Sequence, residues 1–454
     1  MTIAFTASLA LAIAGFRAAP PDEQGVPPRH LESTAIDDET LAGFRAGLGP
    51  IGVPVLAMSI PRQTTSADLE RACRLLEVGT ALKERLFAAH KSALISDDAF
   101  RARRLPAVFG LAAEVVKPSA PLSAEQIAQF TRDLAGARRK VLADMLAQER
   151  EALQAALGGE ELGPAELESL DAIAQIRLVE LVETAVATPD CAKAGVGRLI
   201  DTRGRQVLGD ASIGIARAIY RDALPELAGL ARGHQLAFGR SIGIGAKFTL
   251  ASRIEKQFGS VPANVVADWS GERAAARRNV ARAGERIFEA NRAVVESICA
   301  AIGGAEAERL RNQYDRLVFG LFASGAWDAS ALLKTEPGAG VDPADSDLQP
   351  LIREYEAESG ARLRELQRAF IRYQVLEAGS MGVRRDDWAR AREQLASIQR
   401  RGRDETLLLL DQLRARIDPP KRDAWDAAVD RFRAAAEEAA MRQLDALDPQ
   451  FAKR

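Results

Sequence analysis

The sequence predicts an all-α protein of long amphipathic helical hairpins, and three observations predict it. Composition is the first: aromatic residues make up only 5% of the chain, and arginine outnumbers lysine about five to one. Alanine, leucine, arginine and glutamate favour helix, while the β-branched and aromatic runs that build strands are scarce. The second is apolar spacing, which follows a helical period from Ser66 onward. The third is an echo: Ala155, Ala156, Leu157, Gly158 and Gly159 return as Ala300, Ala301, Ile302, Gly303 and Gly304. Each copy ends a periodic run on two glycines, which enter the left-handed conformation without a Cβ clash, so each marks a helix stop. The echo predicts an internal duplication of a four-helix unit.

Taken in order, residues 1–16 carry no charged side chain and a Pro-rich polar stretch follows. Residues 1–19 read as a signal peptide, predicting a periplasmic or extracellular protein; retention of the segment gives the cytoplasmic alternative. The run is too short for a permanent transmembrane helix, and no other segment is a candidate. Residues 20–64, with Pro20, Pro21, Pro27, Pro28, Pro50, Pro54 and Pro61, read as a linker or arm. A first helical unit covers 65–271, opening with a partial hairpin near 67–91 and 97–116, and a second covers 272–454.

Within the units, helix A spans about 123–157, 263–301 and again 420–447; B spans 164–188 and 305–323. C spans 196–224 and 348–378, and D spans 226–258 and 386–416. Three lanes mark the buried seams. The first runs Val280, Gly284, Ile287, Asn291, Val294, Ile298 and Ala301. The second runs Leu348, Ile352, Tyr355, Ser359, Leu363, Leu366, Phe370 and Tyr373, and the third Trp388, Ala391, Leu395, Ile398, Gly402, Thr406, Leu409 and Leu413. A Pro-containing junction precedes an aromatic at Pro118 to Phe130, Pro262 to Trp269 and Pro419 to Trp425. Ser123 and Asp418 stand at cap positions, and Trp425 is expected to fold back, buried, on the Trp388 to Leu413 helix.

A net charge of -2 supplies no global field towards nucleic acid or an anionic membrane, so no nucleic-acid partner is expected. Cys73, Cys191 and Cys299 form no CxxC pair, which excludes a zinc cluster and a disulfide framework. Cys73 and Cys299 read as small buried hydrophobes, although an exported chain leaves one pairing open. His30, His90 and His234 fall in no ExxH or HExxH spacing, and no GxSxG elbow is present. The stretch Gly239 to Thr249 departs from a phosphate loop because Ala246 stands where glycine is needed before Lys247. The chain is therefore expected to use no metal and no cofactor and to work without catalysis.

One interval, 190–271, combines dense glycine with local positive charge. Arg203, Arg205, Tyr220, His234, Arg240 and Lys247 are the candidate ligand-binding residues, because charge, glycine and an imidazole coincide there. The expected function is a binding or scaffold protein for a protein partner or an unfolded client. The alternatives are an enzyme or anion-binding protein using this interval, and a cytoplasmic coiled-coil scaffold. Arginine clusters at Arg138 and Arg139, Arg277 and Arg278, and Arg400, Arg401 and Arg403 sit amid acids at helical spacing and read as surface.

Leu122, Ser123, Ala124, Glu125 and Gln126 resemble the LTxxQ motif of Spy-type periplasmic helical chaperones, with Ser for Thr. Ile417, Asp418, Pro419, Pro420 and Lys421 form a looser echo without the Gln. The resemblance implies a periplasmic, non-enzymatic helical protein, since members of that family are small dimeric helical cradles that hold unfolded clients. It covers about five residues per site, and the pattern is also that of a helix cap.

Overall fold

The computed structural model describes residues 64–93, 162–183, 188–258, 269–329, 332–333, 348–378 and 385–447, with scattered and mostly helical positions between 123 and 157. About 90% is helical, and no strand occurs among the described residues. The signal-like segment, nearly all of the Pro-rich arm, the helix expected at 97–116 and the Gly158, Gly159 junction lie outside them.

Helices α1 (Ser66–Leu75) and α2 (Thr80–Ala93) replace the single helix expected over 67–91. A capping box starts α1: Asp68 N–H donates to Thr65 Oγ1 at 3.2 Å, and Thr65 N–H donates to Asp68 Oδ2 at 3.0 Å. The break falls at Glu77, whose φ of 55° no helix accommodates. Its carboxylate is held there by Arg217 at 3.1 Å and Arg221 at 3.4 Å. Arg74 ties α1 to the irregular segment beyond α3 (Pro164–Glu183) through a two-pronged contact with Asp201 at 2.6 and 2.7 Å.

The expected helices C and D of the first unit are corrected. Residues 190–207 form short 3-10, α and π-helical turns, and a single helix of 49 residues, α4 (Asp210–Phe258), follows. The helix runs through Pro225, where a lost backbone bond ordinarily breaks it. Pro225 is exposed, so the freed carbonyl meets water, while Leu224 and Leu227 on either side are buried and hold the axis. The chain turns instead at Leu208, in extended conformation, and Gly209, whose N–H donates to Glu306 Oε1 at 3.2 Å.

Helix α5 (Trp269–Ile302) runs antiparallel to α4, as Lys247 Nζ on Glu272 Oε2 at 2.8 Å and the pairing of Phe238 with Val280 establish. The glycine junction forms as the echo predicts: α5 stops at Ile302, Gly303 and Gly304 take φ of 68° and 59°, and α6 (Gly304–Phe319) returns along α5. Cys299 Sγ donates to the Ala307 carbonyl at 3.3 Å, Arg311 meets Glu296 at 2.8 Å, and Phe288 meets Phe319 edge to face. Along the first lane, Val280 to Ile298 are all buried, but Ala301 is exposed where the helix ends.

Helices α7 (Gln349–Ala378), α8 (Arg385–Arg416) and α9 (Arg422–Asp445) form an antiparallel stack. No residue of the second and third lanes is exposed. Two large hydrophobic clusters stand out among the described residues, beside the small Phe238–Val280 contact. The larger joins α1 to α6 with the inner ends of α7 and α8; the smaller gathers Leu348, Ile352, Tyr355, Leu409, Leu410, Leu413 and Trp425. Trp425 thus lies where its Pro junction predicts. Asp418 differs from expectation: its side chain caps nothing, and its carbonyl accepts from Lys421 N–H at 2.9 Å instead.

The irregular stretch after α6 is anchored between α7 and α8. The hydroxyls of Tyr355 and Thr406 donate to the Trp327 carbonyl at 3.1 and 2.6 Å, and Ala329 N–H donates to Tyr355 Oη at 2.9 Å. The two hydroxyls are themselves 2.9 Å apart. All four groups are buried, so this segment is fixed as firmly as a helix turn.

Candidate functional site

The candidate residues of the basic, glycine-rich interval separate into two kinds. Tyr220 is buried at 2% exposure with its hydroxyl against Gly197, where an added Cβ would sit 2.7 Å from the oxygen. His234 is fully buried, its Nε2 2.9 Å from Thr188 Oγ1 and its ring stacked on Phe238. Lys247 holds Glu272. These three are committed to packing and pairing. Arg203, Arg205 and Arg240 are exposed and make no ion pair among the described residues, in contrast to Lys193, Arg217 and Arg221, which hold Asp190 and Glu77.

The six do not converge. Tyr220 and Lys247 stand about 40 Å apart on one continuous helix at 1.5 Å per residue. What α4 offers instead is a long outer face. Arg232, Leu236 and Arg240, each one turn after the last, are all exposed, and Gly229 and Gly233 beside them have open space where a side chain would stand.

Sequence reasoning missed one cationic pair. Arg278 is exposed as expected, but Arg277 is half-buried. Burial, and then the neighbouring Arg273, push its pKa down to about 10. The lane held the signal: Arg273 and Arg277 precede Val280 and Gly284 by one heptad, so they extend the buried seam of α5.

A second overlooked set lies at the centre of the fold. Asn291 on α5 and Tyr314 on α6 stand at nearly equal distance from the Gly303 junction, hence at one level of the hairpin, and both are buried. Neither the Asn291 amide nor the Tyr314 hydroxyl has a hydrogen-bond partner among the described residues. Cys191, fully buried beside Tyr314, gives its backbone N–H to Gln374 Oε1 at 3.0 Å, and burial pushes its thiol up to about 12. Burial also raises Tyr314 and Asp315. All three cysteines are free and buried, so none is a reactive thiolate.

Tyr314→Phe is expected to raise stability by about 1 kcal/mol, because a phenol buried without a partner carries an unrecovered desolvation penalty. A urea titration showing a loss of that size would mean that the hydroxyl is bonded in solution.

The Ser123 and Gln126 pair forms a reciprocal cap, Gln126 N–H to Ser123 Oγ at 3.2 Å and Ser123 N–H to Gln126 Oε1 at 2.8 Å. Among the described residues no group of three or more His, Cys, Asp or Glu side chains is arranged to hold a metal ion, and no helix is long and apolar enough to cross a membrane. No known protein family, curated protein or solved structure matches the chain.

Proposed function

We propose that the protein is a non-catalytic helical binding or scaffold protein that engages an acidic protein partner along α4 and the short turns that precede it. The observation that carries this reading is the set of exposed, ion-pair-free arginines Arg203, Arg205 and Arg240 beside others that are neutralised. Arg203 and Arg205 stand in the turns before α4 and Arg240 more than halfway along it, and cations placed on successive elements suit an extended surface rather than a small substrate. The dispersal of Tyr220, His234 and Lys247 into packing and pairing weighs against an enzyme, since acid-base chemistry needs such groups within hydrogen-bond reach of one reacting atom. Export is supported by the apolar run at residues 1–16 alone.

The test is the triple variant Arg203→Gln, Arg205→Gln, Arg240→Gln. Exposed arginines contribute little to folding, so its melting temperature should stay nearly unchanged while recovery of partner from the native envelope fraction falls. Binding of the wild type should weaken as salt is raised, and less steeply in the variant. Equal partner recovery from both proteins would end this reading.

A further inference from the structure

The outer face of α4 carries charges of both signs, sorted along its length. Asp222, Glu226, Arg232 and Arg240 are all exposed, and none forms an ion pair among the described residues. The helix itself cannot neutralise them. No opposite charge stands three or four residues from any of the four, and Asp222 has Glu226 at that spacing. Nor does the helix dipole account for acids ahead of bases, because it acts within the first and last turns and these residues stand well inside the 49-residue helix. Between Glu226 and Arg240 lie Gly229 and Gly233, both exposed, with open space where a Cβ would stand. Glycine weakens a helix interior, and no packing within the described chain calls for it at either position. Leu236, one turn beyond Gly233, is 40% exposed on the same face.

These features fit one occupant, the same face of a second copy. Turning a copy end over end about the midpoint of Gly229 and Gly233 sets the glycines of one helix against those of the other, so the two axes can approach closely. The same turn brings Arg240 of each copy to the level of Asp222 of the other, and Arg232 within one turn of Glu226. A parallel pairing in register would set acid on acid and arginine on arginine instead. We propose that two copies of the chain pair antiparallel through the outer face of α4, each placing its arginines on the other's acids. The inference rests on the reading above that α4 is a docking surface, and it names the partner of the helical part of that surface. Asp222 to Arg240 spans about 27 Å of helix, less than a standard interface covers, so the dimer is weak and sensitive to salt.

The experiment is sedimentation velocity of the full chain over a hundredfold range of concentration, at low and at high salt. The wild type should pass from monomer to dimer as concentration rises, and the dimer should dissociate as salt is raised. One variant carries Asp222→Arg with Glu226→Arg, and a second carries Arg232→Glu with Arg240→Glu. Each should melt near the wild type and remain monomeric alone, because its face has a single sign. Mixed in equal amounts, the two should form a heterodimer, and the variant with all four reversals should pair with itself again. A wild type that stays monomeric throughout, a dimer that persists in both folded double variants, or a mixture that fails to pair overturns the proposal. Arg203→Gln with Arg205→Gln should leave self-association unchanged. A monomeric wild type whose recovery of an acidic partner still depends on Arg203, Arg205 and Arg240 overturns this inference alone. Pairing that follows the charge reversals, beside equal partner recovery by the triple Gln variant, overturns only the earlier reading.

Discussion

Replacing Trp425 by Ala should lower stability by about 3–5 kcal/mol, the range for emptying a buried aromatic site. Trp425 is 2% exposed and fills the smaller core between Leu409, Leu410 and Leu413 of α8, Ile417 just after it, and Ile352 of α7. The space cannot close readily, because α8 and α9 are tied together by the buried Gln399 to Gln443 contact at 2.6 Å. Trp425→Phe should lose markedly less, since most of the apolar contact survives. A denaturant titration that gives a loss below about 1 kcal/mol for the alanine variant would put the indole at the surface.

Gly284→Val should be destabilising by about 2–3 kcal/mol, the opposite of what helix propensity alone demands. At an open helical site a side chain in place of glycine is favourable. Here the Cβ would sit 2.7 Å from Pro189 Cδ and 3.4 Å from the Ala192 Cβ, and a proline ring cannot swing aside as a long side chain does. Either α5 or the 188–194 segment must move, which disturbs Cys191 and its bond to Gln374. Gly284→Ala should show the same sign at smaller size. Gly233, with open space around it, is the control: its alanine variant should gain up to about 1 kcal/mol. Matching gains at both positions by thermal melt would contradict the close packing of Pro189 on α5.

The helices were legible because their apolar lanes repeat over many turns, and the Gly303 stop because two consecutive glycines leave few alternatives. The boundary expected between 224 and 226 does not form because burial on both sides of Pro225 overrides the local helix-breaking rule, which no local pattern contains. The two turns around Glu77 were hidden for a similar reason: the ion pairs that hold its positive φ come from Arg217 and Arg221, far along the chain. The candidate site was legible only in part. Charge density identifies the interval, but sequence proximity cannot distinguish Arg240, exposed and with no ion pair among the described residues, from Lys247, paired across the hairpin. In the sequence Arg277 reads as surface because it stands beside Arg278, although its heptad position assigns it to the seam. In the sequence Asn291 is one step of a lane, and only the return of α6 along α5 sets Tyr314 at its level.

The way α7 and α8 divide their length has a consequence for how the molecule comes apart. Helix α7 gives Leu366, Ile371 and Tyr373 to the larger cluster and Leu348, Ile352 and Tyr355 to the smaller; α8 gives Leu395 and Ile398 to one and Leu409, Leu410 and Leu413 to the other. The larger cluster also takes side chains from both sides of residue 271, where two units were expected to meet. Neither half therefore owns a complete interior. Melting the smaller cluster frays helices that the larger one needs, so disorder that begins at either end is transmitted along shared rods rather than contained at a boundary.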